Sequence, residues 1–546
     1  MKRREILKRL AAAIPALALT RHAGATSPAA PAAPGPFTPD WDSLATYRTP
    51  DWFRDAKFGI WAHWGPQCEP EMGDWYGRAM YEQGSDAYNY HVRTYGHPSV
   101  FGFKDVIARW KAPRWSPERL LALYKKAGAR YFVALANHHD NFDLYDSSHQ
   151  PQWNSTKIGP KKDLIALWSK AARKHGLRFG VSVHAAHAWS WYEPAQGADK
   201  TGPQAGVRYD GVLGAADGKG SWWEGLDPQA LYAQKHAPGK TEAEGAVMWQ
   251  QWAWGGGASV PDQAYCEKLY KRTIELVDNY DPDLVYFDDT VFPLWPVSDI
   301  GQRIAAHTYN RSIERKGQLE AVITGKILSG QQRQSMVLDI ERGQSNRIEA
   351  LPWQTCTCIG SWHYDRRIYD NKQYKSAQTV VHMLVDVVSK NGNLLLSVPV
   401  RGDGTIDDQE RAIVEEIGGW VAVNGDAIYD TRPWSVFGEG PAMAQAAPID
   451  GPGFNEGKNK PFTHTDIRFT TKGGALYAFV LGWPEDGAVA IQSLGAAAAM
   501  LGRPVKRVEL LGRWNPLAFT QGPDALHVTL PAEKPKLAYA FALKIV

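Results

Sequence analysis

The chain has 546 residues; 44% are hydrophobic and 22% are charged, and the 61 Lys and Arg against 58 Asp and Glu give a formal net charge of +3. This composition is typical of a soluble globular protein. The 23 Trp, 23 Tyr and 17 Phe residues exclude a disordered chain, because they can bury a large apolar area. The nearly balanced charge argues against nucleic-acid binding. After residue 25 no apolar run approaches the roughly 20 residues that span a bilayer.

The first 25 residues are typical of an export signal. Twin arginines followed by Leu-Lys lie within residues 2–8, and an apolar stretch runs over Leu10–Leu19. Ala23–Ala25 offers the small residues that a signal peptidase reads. We therefore predict export, by the twin-arginine route, to the periplasm or the medium. Residues 26–40, which begin with an Ala- and Pro-rich stretch, are predicted to form a linker.

Strand-like and helix-like segments alternate between about residues 41 and 430. Helical segments carry capping signals, such as Ser116 and Pro117 at one start and Gly128 at its end. Eight short apolar runs are strand candidates: Phe58–Trp64, Arg130–His138, Phe179–His184, Leu284–Asp288, Ala321–Lys326, Met336–Glu341, Gln354–Gly360 and Leu394–Pro399. This alternation predicts an α/β protein with a TIM-like (β/α)₈ barrel. The fifth to seventh candidates lie close together along the chain, so we expect an irregular barrel there.

Two segments depart from the alternation. Residues from about 192 to 261 are rich in Gly and Trp with little periodicity, and we predict an insertion on the active-site face. Its tryptophans are Trp222, Trp223, Trp249, Trp252 and Trp254. Over 431–546, short strands broken by turns predict a C-terminal antiparallel β-sandwich. The strand candidates there are 462–471, 475–481, 489–493, 505–511, 526–530 and 537–543.

Polar side chains gather at the C-terminal ends of the strand candidates, where barrel enzymes build their active sites. They are His63, His138, His139, His184, Asp288, Lys326 and Glu341. Phosphate-binding GxxxxGK[ST], GxSxG and HExxH motifs are absent from the sequence. Cys356 and Cys358 are predicted to be buried structural thiols, since a lone Cys-x-Cys is a weak zinc signal.

The carboxylates carry the functional argument. Asp288 ends one buried strand, and Asp339 and Glu341 share one face of another. Two carboxylates on different barrel strands suit glycoside hydrolysis, and the many aromatic residues suit sugar faces. Carboxylates held in ion pairs at strand ends remain open as the structural alternative.

Specific motifs then resemble one family. They are AKFGIWAHWG at 56–65, GDWY at 73–76, NHHDNF at 137–142, WNS at 153–155, GPKKDL at 159–164, YDPDLVYFD at 280–288, PWQT at 352–355, GSW at 360–362, VSKNGNLLL at 388–396 and NGDAIY at 424–429. Their order and sequences resemble the family 29 glycoside hydrolases, the α-L-fucosidases. The resemblance spans about residues 40 to 440.

The resemblance implies an exo-acting, retaining α-L-fucosidase that releases L-fucose from a fucosylated oligosaccharide or glycoconjugate and needs no cofactor. The nucleophile of the family matches Asp288, with Tyr286 in place of the usual Trp. The acid/base varies in local sequence, and Glu341 is the residue that we predict. Asp339 and Glu349 are the reserves.

The resemblance also implies how the sugar is bound. Residues that match the family's hydroxyl-binding set are His63, Asp74, Trp75, His138 and His139. Trp362 matches an aromatic residue that packs on the fucose methyl group, and Lys326 takes the place of a family arginine. His184 falls where the family often has Tyr. Asp74 replaces the commoner Glu and is one methylene shorter.

Other functions stay open from the sequence alone. A family member can act on another sugar or on sulfated fucan fragments. The His-His-Asp run at 138–140 also fits a metal-dependent barrel hydrolase, although the predicted mechanism needs no metal. A non-catalytic fucose-binding protein is disfavoured because Asp288 is present. The sequence does not indicate the oligomeric state, nor whether the C-terminal sandwich binds sugar or braces the barrel.

Overall fold

The computed structural model describes residues 32–239, 254, 257–444, 455–458 and 460–546. The export signal predicted for residues 1–25 lies outside these residues, as do Trp249 and Trp252 of the predicted insertion. No helix of the described residues combines the length and the apolar character needed to cross a membrane.

Eight parallel strands close into a barrel, because β1 hydrogen-bonds to both β2 and β8. They are β1 Phe58–Ala62, β2 Tyr131–Asn137, β3 Arg178–Val183, β4 Leu284–Thr290, β5 Val322–Lys326, β6 Val337–Glu341, β7 Trp353–Cys358 and β8 Gly392–Ser397. Each overlaps one of the eight predicted strands, and the predicted (β/α)₈ barrel is confirmed. Most residues of these strands are buried, as parallel sheets covered by helices require.

Helices surround the barrel and line its loops. Within the described residues they are α1 Trp41–Leu44, α2 Asp51–Ala56, α3 Tyr76–Ala79, α4 Asp86–Thr94, α5 Phe103–Arg109, α6 Pro117–Lys126, α7 Leu164–Lys174, α8 Ala188–Trp191, α9 Gln229–Tyr232, α10 Gln263–Tyr280, α11 Ile300–Lys316, α12 Gly330–Ser335, α13 Arg366–Asp370, α14 Ala377–Ser389, α15 Asp408–Asn424 and α16 Pro441–Ala444. The side chains of Ser116, Asp163, Asp262 and Ser376 accept backbone N–H bonds at the starts of α6, α7, α10 and α14. These caps satisfy N–H groups that the first helical turn leaves unpaired.

The barrel is irregular between its fifth and seventh strands, as predicted. Only two residue pairs, Thr324 with Val337 and Gly325 with Leu338, join β5 to β6. The six-residue α12 is the helix between these strands, and residues 342–352 between β6 and β7 contain no helix. The short connections bring the ends of β5 and β6 close together, which places Lys326 beside Glu341.

Aromatic side chains fill the barrel below its C-terminal rim. The Tyr131 side chain crosses the interior and donates a hydrogen bond to Gln354 Oε1 on β7 at 2.9 Å. Its ring leaves no room for a side chain on β1, since a Cβ atom at Gly59 would lie 2.4 Å from the ring. The interior is therefore a packed core, and a cavity can form only at its upper end.

The C-terminal region folds into two antiparallel sheets, which confirms the predicted sandwich. The five-stranded sheet has the order β13-β16-β11-β10-β9, and the three-stranded sheet has the order β12-β15-β14. The strands are β9 Arg432–Glu439, β10 Ile467–Lys472, β11 Ala475–Val480, β12 Ala488–Ile491, β13 Val508–Leu510, β14 Phe519–Gln521, β15 Leu526–Thr529 and β16 Phe541–Ile545. Both sheets contribute apolar side chains to one core. The sequence did not predict β9 and β14, and β16 begins later than the predicted 537.

The insertion between β3 and α10 consists of short helical turns and loops in its described part. Buried carboxylates anchor it. Asp210 accepts hydrogen bonds from Tyr81 and Tyr232 and pairs with Lys104 at 3.0 Å. The Asn141 side chain, which follows β2, donates to the carbonyl of Leu231 at 2.8 Å. The insertion therefore packs against the loop after β2, on the C-terminal side of the barrel.

All four cysteines are buried free thiols: Cys68, Cys266, Cys356 and Cys358. Burial raises the pKa of each thiol, to about 12 for Cys68 and about 11 for Cys266 and Cys358. The thiol of Cys356 donates to the Asp339 carboxylate at 3.0 Å. The cysteines therefore act as small buried side chains.

Candidate active site

A pocket of about 360 Å³, part of it open to solvent, lies at the C-terminal ends of the barrel strands. Its lining residues are Trp61, His63, Asp74, Trp75, His138, His184, Tyr286, Asp288, Lys326, Glu341 and Trp362. Every predicted site residue except His139 is in this lining. His139 is fully buried behind the pocket wall.

The centre of the pocket is a lysine between two carboxylates. Lys326 Nζ on β5 donates to Asp288 Oδ1 on β4 and, at 2.7 Å, to Glu341 Oε2 on β6. Two histidines approach the other oxygen of Asp288: His184 Nδ1 lies 3.3 Å away and His139 Nε2 lies 3.4 Å away. Three adjacent strands thus supply two carboxylates and one cation to a single point.

The surroundings of Asp288 keep this carboxylate ionised. Burial alone would raise its pKa, but the Lys326 charge and hydrogen bonds from His139 and His184 outweigh burial and hold the pKa well below its usual range. Burial likewise acts to lower the Lys326 pKa, and the charges of Asp288 and Glu341 hold it well above its usual value. Asp288 is therefore negatively charged and Lys326 positively charged at any physiological pH.

Three histidines of the pocket wall are held neutral. Burial, with the neighbouring imidazoles, lowers the pKa of His63 and His138 well below the usual value. Burial also lowers the pKa of His184, although the Asp288 charge opposes the shift. Neither ring nitrogen of His63 has a hydrogen-bond partner among the described residues. A neutral imidazole offers one donor and one acceptor, which suits a hydroxyl group.

Gln67 fixes the proton of His138. Its Nε2 lies 2.6 Å from His138 Nδ1 and donates to Asp140 Oδ2 at 3.3 Å, while its Oε1 accepts from the backbone N–H of Gly77. The amide therefore presents its NH₂ group to His138. Nδ1 of His138 then accepts, and the proton of the neutral ring sits on Nε2.

A buried carboxylate supports the pocket from below. Asp339 accepts hydrogen bonds from Gln354 at 2.8 Å, Cys356 at 3.0 Å and Tyr286 at 3.2 Å. Burial raises its pKa to about 6, against the opposing charge of Lys326. Asp339, one of the two reserve acid/base residues, therefore lies in the barrel interior and is absent from the pocket lining.

Glu349, the other reserve, lies at the opposite end of the barrel. Its backbone N–H donates to the carbonyl of Lys390, and its carbonyl accepts from the Asn391 side chain. Both partners immediately precede β8, whose C-terminal end forms the pocket rim. Glu341 is thus the second carboxylate that reaches Lys326.

Several residues at the rim have a left-handed backbone conformation. Three residues that follow the β4, β5 and β6 strand ends have positive φ: Val291 at 67°, Ile327 at 55° and Arg342 at 46°. Positive φ is rare for residues other than glycine and costly for β-branched ones. Trp75 after Asp74 and Asn141 after Asp140 share this conformation. Ile327, Arg342 and Trp75 each directly follow a residue of the pocket lining.

Sequence reasoning missed three residues of the site: Trp61, Gln67 and His363. Trp61 lies two residues before His63, so the alternation of a strand places both on one face. Its ring packs 4.7 Å from the rings of His63 and Tyr286. Gln67 and His363 lie in loops, where no periodic pattern marks a buried polar side chain. His363 is fully buried, and its Nδ1 lies 2.8 Å from Asp74 Oδ1.

Comparisons with known proteins agree with this geometry. A model of the alpha-L-fucosidase family matches residues 25–426, and a model of the alpha-L-fucosidase C-terminal domain matches residues 459–546. The tissue alpha-L-fucosidase of Rattus norvegicus is 28% identical over 515 residues, which cover 92% of this chain and 90% of the rat protein. The human tissue enzyme is 26% identical over 534 residues, 94% of this chain and 92% of the human protein.

Solved structures are similar over nearly the whole chain. The Thermotoga maritima alpha-fucosidase in complex with a mechanism-based inhibitor has a TM-score of 0.66 and 26% identity, covering 93% of this chain and all of the other. The same enzyme in complex with fucose has a TM-score of 0.65. With a carboxylate pair at the rim of a (β/α)₈ barrel and a C-terminal sandwich behind it, the chain belongs to the alpha-L-fucosidase family of glycoside hydrolases.

Proposed function

We propose that the chain is an exo-acting, retaining α-L-fucosidase that removes terminal L-fucose from fucosylated glycans by double displacement. The contact of Lys326 with both carboxylates carries the proposal. Since each contact is one hydrogen bond long, the nearest oxygens of Asp288 and Glu341 are at most about 6 Å apart. Retaining glycosidases place their carboxyl groups at about 5–5.5 Å, whereas inverting enzymes need about 6.5–9.5 Å for a water molecule.

Asp288 is the nucleophile of the proposed mechanism. In the first step its carboxylate bonds to the anomeric carbon while the bond from that carbon to the leaving oxygen breaks. Glu341 gives its proton to that oxygen. In the second step a water molecule attacks the anomeric carbon, Glu341 takes the water proton, and Asp288 leaves as a carboxylate. The low pKa of Asp288 supports both its attack and its departure.

The neutral histidines are proposed to bind the sugar hydroxyls. The Nε2–H of His138 donates, since Gln67 occupies Nδ1. The unpartnered nitrogens of His63 can donate to one hydroxyl and accept from another. Trp362 and Trp61 offer apolar surface for the methyl group and C–H faces of the sugar. The packed interior around Tyr286 and Asp339 closes the pocket below, which supports entry of one terminal residue.

The place of action is also a proposal. We propose that the mature protein is periplasmic or secreted, on the basis of the twin arginines and the apolar stretch that follows them. Cell fractionation of the full chain should find the protein outside the cytoplasm. Replacing both Arg3 and Arg4 by Lys should leave it inside, and unchanged export of that variant would contradict the twin-arginine route.

Hydrolysis of an aryl α-L-fucoside, followed by proton NMR, tests the proposal. We expect α-fucose as the first anomer, whereas first release of β-fucose would contradict retention. An aryl β-D-galactoside is the substrate control. Asp288→Asn should still bind fucose but lose at least about a thousandfold in kcat, and near-normal turnover would refute this nucleophile. If aryl fucosides fail, fucosylated oligosaccharides are the next substrates.

Metal-dependent hydrolysis is the second candidate, because His63, Asp74, His138 and His363 offer ligand atoms that all lie within 4.8 Å of one another. The proton positions oppose this function. A ligating imidazole normally binds metal through one nitrogen and donates from the other, whereas Gln67 donates to Nδ1 of His138 and leaves a proton on the pocket side. We expect activity to survive dialysis against EDTA; loss that zinc restores would favour the metal enzyme.

A further inference from the structure

We propose that His363 is a positioning residue that orients Asp74 toward a sugar hydroxyl, so that the two side chains bind the sugar as one unit. The inference rests on the proposed function, because it concerns the sugar-binding wall of the same pocket. His363 itself is absent from the pocket lining and acts through Asp74.

His363 hydrogen-bonds to only one of the two oxygens of the Asp74 carboxylate. His363 Nδ1 lies 2.8 Å from Asp74 Oδ1 and donates to it. Among the described residues, His363 is the one hydrogen-bond partner of the Asp74 side chain. The imidazole is fully buried, while the carboxylate is 25% exposed on the pocket side. The bond therefore occupies one carboxylate oxygen and leaves the other for a ligand.

His363 cannot turn away from this contact, because two other imidazoles enclose it. Its ring centroid lies 4.6 Å from that of His63 and 4.7 Å from that of His138, with both pairs nearly perpendicular. Its Nε2 is buried without a hydrogen-bond partner among the described residues. An unpaired buried nitrogen costs stability. Packing alone gives no reason to keep an imidazole there.

The contact also joins two loops. Asp74 lies in the loop after β1, and His363 lies in the loop after β7, next to Trp362. Two backbone hydrogen bonds join the same loops. The Gly73 N–H donates to the Tyr364 carbonyl at 3.0 Å, and the Arg366 N–H donates to the Glu71 carbonyl at 2.9 Å. The close approach requires glycine at position 73, where φ is +82° and a Cβ atom would lie 2.8 Å from the Asp365 carboxylate.

The length of the carboxylate side chain fits this arrangement. Asp74 is one methylene shorter than the glutamate that it replaces in the resemblance to the family. The imidazole of His363 fills the room behind the carboxylate and supplies a fixed donor, so the short side chain is held in one direction. A glutamate would place its carboxylate one methylene further from the backbone, out of register with the fixed Nδ1 of His363.

Four variants test the pair: His363→Ala, His363→Asn, Asp74→Glu and the double variant Asp74→Glu/His363→Ala. For an aryl α-L-fucoside we expect each of His363→Ala and Asp74→Glu to raise KM about tenfold with a smaller change in kcat, because a charge-assisted hydrogen bond is lost. His363→Asn keeps an N–H donor near the position of Nδ1 and should stay within about threefold of the wild-type KM. The double variant should have a lower KM than either single variant.

A panel of monodeoxy aryl fucosides separates positioning from packing. The wild type should discriminate against the analogue that lacks the hydroxyl bound by Asp74, and His363→Ala should lose that discrimination. His382→Ala is the matched control, since His382 is a buried histidine that donates to the Tyr539 carbonyl away from the pocket. This control should lower the melting temperature and leave KM and the deoxy pattern unchanged.

Several results would overturn the inference. If His363→Ala behaved like His382→Ala, His363 would be only a packing residue. Additive effects in the double variant would show that the two side chains act independently. Failure of the proposed function looks different, because the wild type itself would then release no fucose from any substrate.

Discussion

Lys326 determines the electrostatics of the reacting centre. Its ammonium group contacts the proposed nucleophile and the proposed acid/base together. In the resemblance to the family, Lys326 takes the place of an arginine. A lysine is a compact point charge, whereas an arginine presents a planar fork. A point charge on β5 can sit between two carboxylates on the flanking strands β4 and β6, which accounts for the convergence of Asp288 and Glu341 on one nitrogen.

The assignment of Glu341 as acid/base predicts azide rescue. Glu341→Ala should lower kcat by about a hundredfold or more on fucosides with poor leaving groups, because proton donation is lost. Sodium azide should then restore turnover of an activated aryl fucoside and give α-fucosyl azide, since azide enters where the leaving group departed. Proton NMR of the product checks this outcome. Rescue of Asp339→Ala in place of Glu341→Ala would transfer the role to the buried carboxylate.

Asp339 makes stability depend on pH in a defined direction. Burial raises its pKa to about 6 from the ordinary 3.8, so the folded state binds this proton more tightly than the unfolded state. Its contribution is present at low pH and is lost as the pH rises through about 6. We therefore compare the free energy of unfolding of the wild type with that of Asp339→Asn. The difference, wild type minus variant, should fall by about 2 kcal/mol between pH 4.5 and 7.5. Urea denaturation at the two pH values measures the difference, and a constant difference would contradict the raised pKa.

At the scale of elements, a short segment that neither family model matches contacts the turn after β6. Residues 455–458 precede the C-terminal match and dock beside Arg342, the residue after Glu341. The Glu456 N–H donates to the Arg342 carbonyl, and its carboxylate pairs with Arg342 at 2.9 Å and with Lys375 at 3.1 Å. The backbone N–H of Arg342 also donates to the backbone carbonyl of Cys356 on β7. The turn that follows Glu341, the proposed acid/base, is thus fixed on both sides.

This contact predicts a catalytic effect of a residue that does not touch the substrate. Glu456→Ala should lower kcat about tenfold on poor leaving groups, because a small displacement of Glu341 weakens proton donation. Activated aryl fucosides, which need little acid catalysis, should be affected much less. Asp403→Ala breaks an exposed pair with Arg114 and serves as the control without an expected effect. Equal losses on both kinds of substrate would contradict the positioning of Glu341.

The elements of the barrel were predictable because each strand is short, apolar and followed by a polar residue. The strand ends then fix the site, since parallel strands bring His63, Asp288, Lys326 and Glu341 to one rim. β9 was missed because it is half-exposed and contains Pro433. The place of His139 behind Asp288 depends on the turn after β2. The bonds of Gln67 and His363 depend on which loops meet, which is a property of tertiary packing and not of local sequence.

At the scale of the molecule, an ion cluster joins the barrel to the sandwich. Asp386 on α14 lies between Lys390 at 2.5 Å and Arg468 on β10 at 2.6 Å. All three side chains are almost fully buried. Burial would raise the pKa of Asp386, but the two cations hold it below the ordinary value. The Arg468 charge is compensated by Asp386 only while the helix and the sheet stay in contact, so this pair specifies how the two parts dock.

Removing one member of this cluster should be costly. Arg468→Ala should reduce the free energy of unfolding by about 3–5 kcal/mol, because it breaks a buried pair and leaves Asp386 undercompensated. Urea denaturation measures the loss, and activity below the transition should stay near that of the wild type. Glu509→Ala removes an exposed pair with Arg507 and should cost at most about 1 kcal/mol. Equal effects of the two variants would mean that the cluster contributes nothing to docking.

The four buried thiols determine how the protein responds to oxidants and reductants. With no disulfide among them, the native state needs no oxidant to form and is indifferent to a reducing buffer. A thiol reagent reaches Cys356 or Cys358 only when the barrel opens, and Cys266 only when α10 detaches. Oxidation of these thiols therefore falls on opened molecules and spares folded ones. The rate at which a thiol reagent modifies the cysteines thus measures how often the barrel unfolds.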